Sequence, residues 1–224
     1  MNFISMGFWA AFCAFFLIYV FVKKWSRTAM LLWVLAFDLF FFWQANGWLM
    51  LLLPATAALN YFLTEEIRRS RRKVLLAVIV LLDLSALVYF KYSGFFVEGI
   101  LNPLLKSNFA VGEIVLPIGI SFYTFQAISY SVDVYRGKYE GRPSFLEFCF
   151  YLSFFPLLLA GPITRAGRFL PQIRRNGMAT RHELRLGLWL IICGLLKKGV
   201  IADYLAVYKT SPSTAPSPTP ATSC

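Results

Sequence analysis

From Phe3 to Val22 the chain runs for about twenty residues without one charge, and no other feature restricts its fold as strongly. At 1.5 Å per residue, a helix of that length crosses the roughly 30 Å hydrocarbon core of a bilayer. Inside lipid the backbone must satisfy its own hydrogen bonds, which a helix does. The pattern recurs. Ala29 to Trp43 and Gly47 to Leu63 flank Gln44, Ala45 and Asn46 and predict a tight helical hairpin. Val74 to Tyr92, Ile114 to Tyr135, Phe145 to Leu159 and Leu184 to Leu196 follow. The expected fold is all-α: a polytopic integral membrane protein of about six or seven hydrophobic segments, one of them re-entrant or broken.

Composition narrows the class further. The residues AVILMFWYC supply 58% of the chain and charged residues only 15%, against about 25% charged in a soluble domain. Disorder, collagen and a secreted disulfide scaffold are excluded for the body of the chain. The 22 Lys and Arg against 11 Asp and Glu leave a net charge of +11. Nucleic acid is not the implied partner, because that needs a basic face on a soluble domain. The basic residues instead cluster between apolar runs, as cytoplasmic loops do. On that rule the N-terminus lies outside, Lys23 to Arg27 inside, Glu65 to Lys73 inside, Phe95 to Glu113 outside as a loop or interfacial helix, and Arg136 to Arg142 inside. A full crossing by Phe145 to Leu159 would then put the six arginines from Arg165 to Arg185 outside. Pro156 and the Gly161-Pro162 pair interrupt that run, so the expectation is a partial, re-entrant crossing with the Arg-rich segment cytoplasmic.

Two acids, Asp38 and Asp83, sit within apolar runs. A carboxylate there costs roughly 2.5–3.5 kcal/mol on insertion scales, so both must face other helices or water. Ile114 to Tyr135 is dense in Ser, Thr, Tyr, Gln and Asp, and Gln126, Ser129, Tyr130 and Asp133 follow an i, i+3, i+4, i+7 spacing on one helix face. Such a stripe either seals helices together by hydrogen bonds or lines a substrate path. In Phe154 to Ile173, Pro156, Pro162 and Pro171 with Gly161 and Gly167 predict that no continuous helix forms. Arg165 and Arg168 follow the break and either bind an anionic group such as a phosphate or only enforce topology. Cys13, Cys149, Cys193 and Cys224 have no short spacing, and His182 is the only histidine, so no Cys/His or multi-histidine metal site can be assembled. His182 lies in a polar stretch and is expected to be solvated rather than catalytic. No signal-peptide cleavage pattern is evident, and the first segment is expected to be retained. No nucleophile-elbow, zinc-protease or P-loop pattern occurs.

Leu116-Pro117-Ile118-Gly119-Ile120-Ser121-Phe122-Tyr123-Thr124-Phe125-Gln126, with Ser129-Tyr130 and Asp133-Val134-Tyr135-Arg136-Gly137, resembles the signature of the membrane-bound O-acyltransferase (MBOAT) family. So do Ser153-Phe154-Phe155-Pro156, Ala160-Gly161-Pro162-Ile163-Thr164-Arg165, and Gly194-Leu195-Leu196-Lys197-Lys198 with Ile201-Ala202-Asp203. The likeness covers about residues 1–208 and is strongest to the bacterial branch that includes the alginate O-acetylation membrane subunit. It implies a multi-helix protein of the bacterial inner membrane that takes an acyl group, acetyl in that branch, from a cytoplasmic thioester such as acetyl-CoA towards an exported polysaccharide. It also implies periplasmic acetyltransferase partners and no bound cofactor. The polar stripe and the Gly161-Pro162 turn would shape an interior funnel, with Arg165 and Arg168 near the donor's phosphates. The alternatives are D-alanyl or other acyl transfer to a different envelope glycan, or a non-enzymatic transporter or channel.

The family's catalytic histidine lies in an apolar stretch of the second half, and no position here matches it. No catalytic residue is therefore transferred, and this chain is expected to be inactive alone. Two regions are expected: residues 1–208, the N-terminal half of an MBOAT-type membrane domain, and residues 209–224. The latter hold four each of Ser, Thr and Pro in sixteen residues and can bury no core. The abrupt change predicts a frameshift or premature end, with a Ser/Thr/Pro linker as the alternative.

Overall fold

The computed structural model describes residues 6–97, 102–105, 116–174 and 180–202. All regular structure among them is helical. The predicted tail and most of the predicted outer loop, Phe95 to Glu113, lie outside the described residues. The chain divides into two compact units: the larger is Ala10–Arg175, and the smaller takes Asn2–Trp9 and Asn176–Cys224.

Helix α1 is Met6–Trp25, and its last turn carries Lys23 and Lys24, where positive charge meets the negative end of the helix dipole. After Ser26, α2 runs Arg27–Asn46, a 3₁₀ turn covers Gly47–Leu51, and α3 runs Leu52–Ser70. The two helices are therefore longer than the apolar runs that predicted them, and the turn begins after Asn46, where Gly47 takes a positive φ of 56° that suits glycine. Helix α4 is Lys73–Phe96. A short α5, Asn102–Leu105, precedes α6, Ile120–Tyr135. Helices α7, α8 and α9 are Phe145–Ser153, Phe155–Ala160 and Ala166–Arg174. In the smaller unit, α10 is Arg181–Leu196, followed by a π-helical turn over Lys197–Ala202.

Among the described residues, three stretches are long and apolar enough to cross a membrane: Met6–Trp25, the α2–α3 hairpin taken as Arg27–Ser70, and Lys73–Phe95. Their exposed side chains, such as Leu17, Phe21, Leu81 and Leu82, suit lipid contact, where an apolar surface carries no penalty. In that solvent, close packing and interhelical hydrogen bonds hold helices together.

The packing fixes direction. Helix α3 packs on α4 and α6, while α7 packs on both α2 and α3. Arg27 at the start of α2 pairs with Glu147 at the start of α7, and Asp38 further along α2 reaches Ser153 at the end of α7. Helices α2 and α7 therefore run parallel. Tyr61 and Arg68 of α3 reach Pro143, Glu140 and Gly141 just before α7, so α3 runs the other way and the hairpin returns as the sequence predicts. At the opposite end Asn46 accepts from the Ile118 N–H at 2.7 Å, and Gly119 opens α6 with φ 83° against Phe42 and Leu158.

Candidate functional site

The centre of the larger unit is α7, in which every residue from Glu147 to Ser153 is buried. Ser144 starts it: its hydroxyl accepts the Glu147 N–H at 3.3 Å while Glu147 accepts the Ser144 N–H at 2.9 Å. This reciprocal capping box satisfies two donors that a helix start leaves unpaired. The helix breaks at Phe154, and the break is held from α2. Fully buried Asp38 accepts from the Ser153 hydroxyl at 3.2 Å and from the Phe155 N–H at 3.4 Å. Helix α8 then carries Leu158 to the Gly119 and Phe42 end. Residues 161–165 turn the chain back, with the Tyr151 hydroxyl donating to the Thr164 carbonyl at 2.7 Å. Helix α9 returns alongside α7, its Phe169 ring lying against Phe150, Tyr151 and Phe154. The segment thus leaves and re-enters the same end of the bundle, as a re-entrant crossing requires.

One expectation for this segment needs correction. Pro171 and Gly167 do not interrupt the helix, because α9 runs through both. It is held by its buried side, Ala166 and Leu170, with Phe169 and Ile173 packed beside the core, so the loss of one backbone donor at exposed Pro171 is tolerated. The true breaks are at Phe154 and 161–165. Gly161 is required there, since a Cβ would lie 2.7 Å from the Leu157 Cα.

At the loop end, Glu147 gathers three segments. Arg174 of α9 donates to both its oxygens, at 3.3 and 2.8 Å, and Arg27 pairs with it from the start of α2. Arg174 also donates to the Arg142 carbonyl at 2.7 Å. Burial alone would raise the Glu147 pKa, but the Arg174 and Ser144 hydrogen bonds and the charges of Arg174 and Arg27 hold it below the usual value. Arg68 donates to the carbonyls of Glu140 and Gly141, and Arg71 to that of Tyr135. These basic side chains shape the 135–144 loop.

The four polar positions of α6 do not share one environment. Gln126 and Tyr130 are buried, whereas Ser129 and Asp133 are half-buried. Tyr130 packs its ring against Phe148 and Tyr139, with centroids 4.7 and 5.7 Å away. Gln126 is fully buried, and neither end of its amide has a partner among the described residues. The hydrogen-bonded seam lies beside the predicted stripe: Ser131 meets Thr64 of α3 at 2.7 Å, and Asn60 of α3 donates to Asp83 of α4 at 3.0 Å. Asp38 and Asp83 thus face other helices, as expected.

Arg165 and Arg168 sit exposed at the start of α9, and no hydrogen bond or ion pair joins their side chains to any described residue. Nothing of that kind joins them to Gln126, Ser129, Tyr130 or Asp133 either. His182 is exposed in the first turn of α10. Sequence reasoning passed over Asn60, Thr64, Ser131 and Glu147, and met Ser153 only within a family motif. Of these only Glu147 carried a readable signal, the Ser-x-x-Glu spacing of a capping box.

The sequence model of the membrane-bound O-acyltransferase family, MBOAT, matches residues 139–210, which include α7, the return and α10. A Pseudomonas aeruginosa protein named a probable alginate O-acetylase, AlgI, is 35% identical over 192 residues, covering 81% of this chain and 36% of the relative. The chain belongs to the membrane-bound O-acyltransferase family. An Azotobacter vinelandii protein also named a probable alginate O-acetylase is 35% identical over 192 residues, covering 81% of this chain and 38% of its own. A Helicobacter pylori protein named peptidoglycan O-acetyltransferase is 29% identical over 223 residues, covering 85% of this chain and 42% of its own. This MBOAT chain therefore spans about two fifths of the length of these curated relatives. No solved structure matches it.

Proposed function

We propose that this chain is part of a multi-pass inner-membrane O-acyltransferase that moves an acetyl group from a cytoplasmic thioester donor of the acetyl-CoA type towards an exported polysaccharide such as alginate. The reaction class is attack of a hydroxyl on a thioester, giving an ester and a free thiol. The observation that carries the reading is the family match falling on the re-entrant segment, where Arg165 and Arg168, at the start of the returning helix, are exposed and have no side-chain partner among the described residues. Two guanidiniums one turn apart suit a diphosphate, and we assign them to the donor's phosphates. Gln126, with a buried amide that has no partner among the described residues, is the position of the α6 stripe that best fits a polar path. Ser129, Tyr130 and Asp133 flank it. Periplasmic acetyltransferases are the proposed partners.

Binding of coenzyme A to the chain in lipid nanodiscs tests the donor assignment. The doubly substituted R165A/R168A protein is expected to bind at least about tenfold more weakly, about 1.4 kcal/mol. Unchanged binding would overturn the assignment. The 224 residues alone are expected to consume no thioester, and measured turnover would refute that. The Helicobacter pylori relative supports a second acceptor, peptidoglycan. Deleting the gene and assaying O-acetyl esters on secreted polysaccharide and on peptidoglycan separates the two.

A further inference from the structure

We infer that a single water molecule is bound where α3, α4 and α6 meet, held by Asn60, Asp83 and Tyr123. The three side chains come from three helices and are 0%, 4% and 2% exposed. Asn60 donates to the Thr56 carbonyl at 3.1 Å and to Asp83 Oδ1 at 3.0 Å, so both its amide hydrogens are used. Three buried polar atoms are then left without a partner among the described residues: Asn60 Oδ1, Asp83 Oδ2 and the Tyr123 hydroxyl. Tyr123 is carried by α6, which packs on both α3 and α4, and this brings the three helices' buried polar groups to one junction.

Their chemistry selects the ligand. Two of the atoms are acceptors only, and the third is a hydroxyl that can donate. A water molecule donates twice and accepts, so it can give its hydrogens to Asn60 Oδ1 and Asp83 Oδ2 and take the one from Tyr123. All three atoms are satisfied at once. A direct bond from Tyr123 to Asp83 would leave Asn60 Oδ1 unpaired, and buried polar groups are rarely left so. A sodium ion would want five or six oxygens, more than these residues offer. Buried waters commonly make about three hydrogen bonds, the number available here.

Water-edited solid-state NMR in bilayers, with tyrosine ring carbons labelled, tests this. The Tyr123 signal, identified by its loss in Tyr123→Phe, is expected to receive polarisation from water as quickly as a solvent-exposed tyrosine, although it lies among apolar helices. Asn60→Leu is expected to abolish that transfer. If Asn60→Leu does not fold, Asp83→Leu serves as the second variant with the same expectation. A Tyr123 signal that gains nothing from water would overturn the inference. So would a Tyr123 shift that tracks sodium concentration, because the cluster would then hold a cation.

Discussion

Glu147 shows how much a single residue organises. It caps its own helix, receives Arg174 from α9 and pairs with Arg27 from α2, with its side chain only 7% exposed. Replacing it with glutamine leaves the shape but removes the charge that both arginines face. The expected loss is about 1.5–3 kcal/mol, the range for hydrogen bonds to charged groups, read as a lower thermal midpoint in detergent. The pH dependence has a definite sign. Because the folded pKa lies below the unfolded value, Glu147 adds stability at pH above the ordinary carboxylate range near ~4.3. That contribution is lost as pH falls through the lowered folded value. The gap between wild type and Glu147→Gln should therefore be widest near neutral pH and close in acid. Asp38 was legible as a residue that must find partners, since an acid in an apolar run has few alternatives. What it binds was not, because Ser153 and Phe155 lie over a hundred positions away.

At the scale of the element, α8, the 161–165 turn and α9 separate what sequence shows from what packing decides. Proline and glycine marked the region as broken, and it is. Which of them break it depends on contacts that spacing does not encode. Gly161 faces the Leu157 backbone, where a Cβ would come within 2.7 Å of Cα and 3.0 Å of the carbonyl oxygen. Gly167 has only a Tyr139 ring carbon at 3.6 Å. Gly161→Ala is accordingly expected to cost about 1–3 kcal/mol, as overpacking does. Gly167→Ala should change stability by no more than about 0.5 kcal/mol, or raise it through helix propensity. Thermal unfolding of the two variants side by side checks the contrast. The polar stripe of α6 follows the same logic: the 3.6-residue period was readable, but Ser131 and Thr64 form the seam because α3 lies on that flank.

For the whole molecule, four arginines converge on one end of the larger unit. Arg27, Arg68, Arg71 and Arg174 all reach either Glu147 or the carbonyls of the 135–144 loop. That convergence is the spatial form of the loop charges, and it was legible because charge clusters between apolar runs have few places to go. The return of α9 to this end brings Arg174 back beside Glu147. It also predicts that reporter fusions made after Pro143 and after Arg174 show the same sidedness, measured with paired phosphatase and fluorescent-protein tags. Opposite readings would mean that the segment crosses fully.

That hairpin also bears on how chains of this kind are counted. A segment that dips in and withdraws adds an apolar stretch to a hydropathy plot but leaves the parity of crossings unchanged. Any scheme that scores it as one traverse inverts the assigned side of every residue downstream. The Asp38 anchor at the Phe154 break is therefore a local contact with an effect on the map of all that follows it.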